Sequence, residues 1–187
     1  MEEEALVFEP EEPEVRIVGL YGEIDDENSK ELIGALVGYT ATARHSAERA
    51  EPVEMIVSTG GGNVADMFAI YDIMRMSREL YDISTLGIGK VMSAGLLLLA
   101  AGTPGQRRIG KHCRVMLHHV VTGDQGSLAD VRSTCKEAEA METLMFDAIA
   151  AETNLTIEQM REIIQDNTDK FFSAEEAIEM GIADIIV

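Results

Sequence analysis

The stretch Gly89-Lys90-Val91-Met92-Ser93-Ala94-Gly95, continued by Leu96-Leu97-Leu98-Leu99-Ala100-Ala101, reads as a strand end, a tight turn bearing one hydroxyl, and an apolar helix. A serine in that turn stands at a helix N-terminus. Backbone N–H groups without intrahelical partners and the positive end of the dipole favour a developing anion there. An acyl-transfer nucleophile uses such a setting. Serine is also a preferred helix cap, and taken alone the stretch favours that structural role.

Two further segments add chemistry. Arg114-Val115-Met116-Leu117-His118-His119-Val120-Val121 reads as a buried strand carrying a histidine near its end, and Asp166-Asn167-Thr168-Asp169-Lys170-Phe171-Phe172-Ser173 as a loop ahead of a capped helix. Serine, histidine and aspartate thus occur in that chain order at element edges, where scaffolds present reactive groups. Asp166 and Asp169 compete for the third place. Adjacent histidines on a strand face opposite ways, so only one of His118 and His119 can face the serine. His112, Cys113, His118 and His119 fit none of the zinc-ligand spacings. Lys90, three residues before Ser93, raises a Ser/Lys dyad as an alternative to a solvated surface lysine.

The surrounding pattern is that of an α/β domain. Strands are expected over Glu14–Tyr21, Val53–Ser58, Asp82–Ile88 and Ile182–Val187, and helices over Asn28 to about Arg49 and Val64–Leu80. Ser127-Leu-Ala-Asp130 opens a long helix to about Thr153, with Leu128, Val131, Cys135, Ala138, Met141, Leu144, Met145 and Ile149 along one side. Thr156-Ile-Glu-Gln159 and Ser173-Ala-Glu-Glu176 repeat the capping box, and Gly181 supplies a C-terminal cap. Thr59-Gly60-Gly61-Gly62-Asn63 reads as a strand-to-helix turn in which glycine admits positive φ or a close backbone approach. It lacks the lysine and hydroxyl of a phosphate-binding P-loop, which leaves an ordinary tight turn or an oxyanion site with an edge for an extended peptide.

Composition narrows the function classes. A chain of 187 residues with 46% hydrophobic content suits one packed domain, and a formal charge of −19 repels nucleic-acid phosphates. Two cysteines, Cys113 and Cys135, argue against a disulfide framework. The first 14 residues hold seven glutamates and no basic residue, so residues 1–14 are expected to form an acidic, flexible tail before a domain over 15–187. The longest apolar run, about Leu96–Ala101, is far short of the roughly 20 residues that span a bilayer. Met1-Glu-Glu-Glu has no signal-peptide character, and a cytoplasmic location is expected.

Thr59-Gly-Gly-Gly62, Ala69-Ile-Tyr-Asp72, Gly89 to Gly95, Leu98-Leu-Ala-Ala-Gly102, Arg114-Val-Met-Leu-His118 and Ser173-Ala-Glu-Glu-Ala177 resemble, in order and spacing, the proteolytic subunits of Clp proteases. The resemblance runs from about Val15 to Val187. It implies repeated ββα units in the spiral fold shared with crotonases, with the helix from Ser127 as a protruding handle. It implies a serine endopeptidase with Ser93 as nucleophile, His118 as base, Asp169 orienting the histidine, and the N–H groups of Gly62 and Ala94 as oxyanion hole. No metal or organic cofactor is implied. Substrates would be unfolded polypeptides or short peptides, cleaved without ATP inside homo-oligomeric, heptameric rings, single or stacked in pairs, with or without an AAA+ unfoldase.

The chain departs from the family at several positions. Gly60 and Val120 replace prolines, His119 a glutamine, and Thr168 the arginine that joins rings, for which Lys170 is a substitute. The tyrosines that receive the unfoldase are absent around Glu54 to Ile56. A ring subunit without catalysis and a crotonase-like acyl-CoA enzyme are the competing classes.

Overall fold

The structure, a computed structural model, describes residues 16–45 and 49–187; the acidic segment expected over residues 1–14 lies outside the described residues. Strands and helices alternate first: β1 (Ile17–Ile24), α1 (Asp26–Ala43), β2 (Val53–Gly62), α2 (Val64–Arg78), β3 (Ile83–Met92) and α3 (Ala94–Ala100). There follow β4 (Arg107–Ile109), β5 (Arg114–Leu117), α4 (Leu128–Glu152), α5 (Ile157–Ile163), β6 (Lys170–Phe172), α6 (Ala174–Glu179) and β7 (Ile185–Ile186). The α/β class matches the expectation. Strands β1-β2-β3-β4-β7 lie side by side, all pairs parallel, while β5 joins β3 and carries antiparallel β6.

β3 is the element that places the site. Its first half, Thr85–Gly87, pairs with β4, and its second half, Lys90–Met92, pairs with β5. Gly89 between them takes φ +67, a bend that glycine adopts without strain. The strand therefore runs on to Met92 rather than ending near Ile88, and it delivers Ser93 to a corner between two partners. β2 likewise continues through all three glycines, because β1 accompanies it with Glu23 beside Gly61 and Ile24 beside Gly62. The turn expected at Thr59–Asn63 is a strand edge. β5 stops at Leu117, so His118 lies just beyond it, and α1 ends at Ala43 instead of near Arg49.

Every residue of α3 is buried, which explains an apolar run with no polar face. It packs on β2, β3, α2, α4 and β5, and Gly95 is needed because a Cβ there would lie 2.3 Å from Thr59 Cγ2. Arg107, 8% exposed, closes this core. Its guanidinium donates to Asp184 Oδ2 (2.8 Å) and Oδ1 (2.6 Å), to Glu152 O (2.7 Å) and to Ala100 O (3.3 Å), satisfying end carbonyls of α3 and α4. Hydrogen bonds from Arg107 hold the Asp184 carboxyl below its ordinary range. The folded-state value is thus depressed, and the stability it contributes is present at neutral pH and lost as the pH falls through that value. Asp184→Asn leaves a buried guanidinium without its counter-charge and is expected to cost about 3–5 kcal/mol at neutral pH. Denaturant midpoints at neutral pH and in acid check this: the gap to wild type closes in acid.

The three capping boxes form as read, at Ser127/Asp130, Thr156/Gln159 and Ser173/Glu176, and Gly181 takes φ +71 after α6. The long helix α4 spans the expected residues, and most of its apolar side lies outside the core. Only Met145, Phe146 and Ile149 are buried, whereas Leu128 and Leu144 are 67% and 53% exposed. Its C-terminal turn is anchored by Glu152, which accepts from Arg78 Nη1 (2.9 Å), Arg78 Nη2 (2.7 Å) and the Tyr71 hydroxyl (2.9 Å). Burial and that carboxylate push the Tyr71 phenol up to about 12. The first turns of α4 project from the body. Among the described residues, no helix is long and apolar enough to cross a membrane.

Candidate active site

Ser93 holds the N-cap position of α3, but its side chain does not cap the helix. The residue has φ 55 and ψ −123, and its N–H donates to Met116 O at 2.8 Å. Only Ser93 and Asn167 have positive φ among the described non-glycine residues. Such a backbone costs about 1–3 kcal/mol and persists where neighbours over-determine it. Those neighbours are β5, through Met116, and the glycine edge of β2. The strained turn aims the hydroxyl away from the helix, and Ser93 Oγ lies 2.7 Å from His118 Nε2.

His118 presents its other nitrogen to the loop before β6. Nδ1 stands 3.6 Å from Asp169 Oδ1, longer than a direct hydrogen bond, with the carboxylate side chain 54% exposed. Sites of this kind often tighten only when substrate is bound. Asp166 is engaged elsewhere: Lys170 Nζ donates to it at 2.6 Å and the Thr168 hydroxyl at 2.8 Å, which pulls its carboxyl down to about 2. The same contact occupies Lys170. Lys90 is exposed on the outer side of the glycine edge, its Nζ 3.8 Å from where a Gly60 Cβ would sit. His119 diverges from His118 and meets Glu142 on α4 at 3.1 Å. Cys113 is in the core, where burial pushes its thiol up to about 11. The four imagined metal-ligand residues therefore include three with unrelated surroundings.

The glycine edge is built for contact. A Cβ on Gly61 would lie 2.7 Å from Ser93 Cβ and 3.0 Å from Met92 O, and a Cβ on Gly62 would lie 2.2 Å from Ile24 O. Both have φ in the region that favours glycine, +96 and +152. Buried Thr59 steadies this edge: its hydroxyl accepts from Gly61 N–H at 3.0 Å. Thr59 and Gly61 belong to the stretch that the sequence marks for a close backbone approach, but the contact of Gly61 with Ser93 and its bond to the Thr59 hydroxyl become visible only in the structure. Ala94 follows Ser93 and opens α3, where an N–H has no intrahelical acceptor, while Gly62 is the last residue of β2, next to the Gly61 that faces Ser93.

A groove of about 430 Å³ lies next to this corner, lined by Asn63 and Val64 after the glycines, Val120 and Val121 after His118, and both polar and apolar residues of α4, among them Glu137 and Met141. Candidate nucleophile and base are thus in contact, with the glycine edge against the serine and a groove of mixed polar and apolar lining alongside. That arrangement suits acyl transfer from an extended chain.

Comparison with known proteins agrees in kind. The family model described as Clp protease matches residues 13–187. The chain is similar to "ATP-dependent Clp protease proteolytic subunit 1" of Corynebacterium diphtheriae, at 35% identity over 91% of this chain and 78% of that protein. It is 31% identical to "ATP-dependent Clp protease proteolytic subunit 2" of Thermobifida fusca over 92% of this chain and 80% of the relative. With "ATP-dependent Clp protease proteolytic subunit 4" of Rhodococcus jostii it shares 33% identity over 92% and 84%.

Proposed function

The chain belongs to the Clp protease family, and from that premise we propose that it hydrolyses peptide bonds with Ser93, His118 and Asp169 inside an oligomeric ring. The observation that carries the reading is the 2.7 Å contact between His118 Nε2 and the hydroxyl of a backbone-strained Ser93. Residues 15–187 act as one peptidase domain, with 1–14 as an acidic tail. His118 takes the Ser93 proton as Oγ attacks the peptide carbonyl carbon. The N–H groups of Gly62 and Ala94 stabilise the resulting oxyanion, each donor being worth about 3–4 kcal/mol in comparable sites. His118 then protonates the leaving amine, and a water activated by the same imidazole resolves the acyl-enzyme. Asp169, on the Nδ1 side, favours the tautomer with Nε2 free to accept.

A second reading is a ring subunit without catalysis, favoured by the 3.6 Å separation of His118 from a half-exposed Asp169. Labelling with a fluorophosphonate and mapping of the modified residue separate the two. Stoichiometric modification of Ser93 supports the peptidase, and an unreactive Ser93 in the assembled protein overturns it.

Enclosure follows from the chemistry, since an open site of this kind would digest its surroundings. The relatives are named as subunits of ATP-dependent proteases, and for this chain we propose homo-oligomeric, heptameric rings stacked through the exposed part of α4. At −19 per subunit, facing rings repel when screening is weak. Light scattering or native mass spectrometry across a salt series is expected to give double rings at physiological salt and single rings at low salt. A monomer at every salt concentration overturns the chamber. A standard unfoldase is expected to dock weakly. Where the family carries tyrosines this chain has Glu54, paired with Arg108 Nη2 at 2.6 Å beside a depression of about 580 Å³. No membrane or nucleic-acid partner enters this reading, and the cytoplasm is its proposed location.

A further inference from the structure

His118 is the first residue beyond β5, and the chain that follows it leaves the body of the protein for an exposed connection to α4. A general base on such a segment needs its backbone fixed nearby. Glu142 supplies that fixation. Its Oε2 accepts the backbone N–H of Val120 at 2.9 Å and lies 3.1 Å from His119 Nδ1. A carboxylate only accepts, so His119 Nδ1 carries a proton and donates. The two donors flank one carboxylate oxygen, within two residues of the base. A further tie, from the Thr134 hydroxyl to Asp124, holds the connection farther from the base.

The position of Glu142 on α4 is what makes the contact informative. One helical turn later Met145 and Phe146 enter the core, while the turns before it are exposed or half-buried. Glu142 therefore stands where α4 leaves the body, and it bonds the segment 118–120 to the last part of the helix that packing holds still. Asp169 adds only the 3.6 Å contact on the far side of the ring. Precision for the base has to come from its own main chain.

We propose that Glu142 is a positioning residue for peptide hydrolysis, holding His118 over Ser93 through the backbone N–H of Val120 and the ring of His119. The inference rests on the Ser93–His118 reading given above. It makes turnover depend on the seating of α4, so that a shift of the projecting helix is felt at the base two residues from the clamp.

The test measures turnover of a fluorogenic peptide per active site, sites being counted by fluorophosphonate labelling carried to completion. Glu142→Ala removes both acceptor contacts, and Glu142→Leu does so while filling the space. In these variants kcat per labelled site is expected to fall about 10- to 100-fold, the order produced by misplacing a catalytic group by about 1 Å. Glu142→Gln keeps an acceptor oxygen for Val120 N–H and is expected to stay within about threefold of wild type, since one neutral hydrogen bond replaces a charge-assisted one. A merely structural role would reduce the number of labelled sites or the melting temperature and leave kcat per site unchanged. Wild-type kcat per site in Glu142→Ala or Glu142→Leu overturns the proposal, as does a Glu142→Gln enzyme as slow as Glu142→Ala. Ser93→Ala run alongside keeps the two ideas apart. If it still hydrolyses the peptide, the underlying reading falls; if it is dead while the Glu142 variants turn over normally, only the positioning role falls.

Discussion

Ser93→Ala is expected to leave a folded, assembled protein whose peptide hydrolysis is lower by about 10³- to 10⁶-fold, the range seen when a hydroxyl nucleophile is deleted and only binding and oxyanion stabilisation remain. The expectation of an intact fold has its own basis. The Ser93 side chain does not cap α3, and its hydroxyl bonds the half-buried His118 ring. Losing one such hydrogen bond costs about 1 kcal/mol. Alanine keeps the Cβ against which Gly61 packs and inherits the same strained backbone, so nothing in the glycine edge needs to move. A fluorogenic peptide assay beside circular dichroism and a thermal melt decides it. Activity above a tenth of wild type, in protein free of contaminating peptidase, would remove Ser93 from the mechanism.

Legibility in the sequence followed the range of the interactions. Helix starts were readable because their determinants lie within four residues: Ser127 with Asp130, Thr156 with Gln159 and Ser173 with Glu176 each form the reciprocal bonds that their spacing announces. α3 was readable from its leucine run. The continuation of β2 through Gly60–Gly62 was not, because glycine has little strand preference and the pairing with β1 that extends it comes from far along the chain. β4 and β6 escaped for a related reason. Each has three residues, and the burial of Arg107 in β4 makes sense only once Asp184, 77 positions later, is beside it.

The candidate site shows the same division. Ser93, His118 and Asp169 could be nominated from residue type, edge position and family resemblance. Ser93 as a cap placed the residue correctly but gave it the wrong partner. The left-handed backbone that turns it toward His118 is enforced by Met116 and Gly61, neither of which is local to it. Glu142 could not be found at all from its own neighbourhood, where it reads as one more acid on a solvated helix. The apolar side of α4 was legible as a surface seeking burial, yet in a single chain Leu128 and Leu144 find none.

The three consecutive glycines make the second large prediction, because each meets a different neighbour. Alanine at position 60 would find only Lys90 Nζ, 3.8 Å away at the end of a flexible chain, and the residue lacks positive φ. Gly60→Ala is therefore expected to fold and to stay within about twofold in activity, a surface change of little energetic weight. At position 61 the new Cβ would stand 2.7 Å from Ser93 Cβ and 3.2 Å from its Oγ, on a backbone at φ +96. The cheapest relief is for the serine turn to withdraw. We expect Gly61→Ala to cost about 2–3 kcal/mol of stability, as overpacking and strain do, and more than about 100-fold in kcat. At position 62 the Cβ would fall 2.2 Å from Ile24 O and 2.7 Å from Ile24 N, backbone atoms of a paired strand that cannot swing aside. Gly62→Ala should break the β1–β2 pairing and yield little folded protein. The gradient is the discriminating result, since three neighbouring identical substitutions of equal helix or strand propensity would otherwise behave alike. Melting temperature and fluorophosphonate labelling rate measured on all three variants test it. A Gly61→Ala enzyme within threefold of wild type would show that the β2 edge does not press on the nucleophile, and the geometry from which the mechanism is built would have to be redrawn.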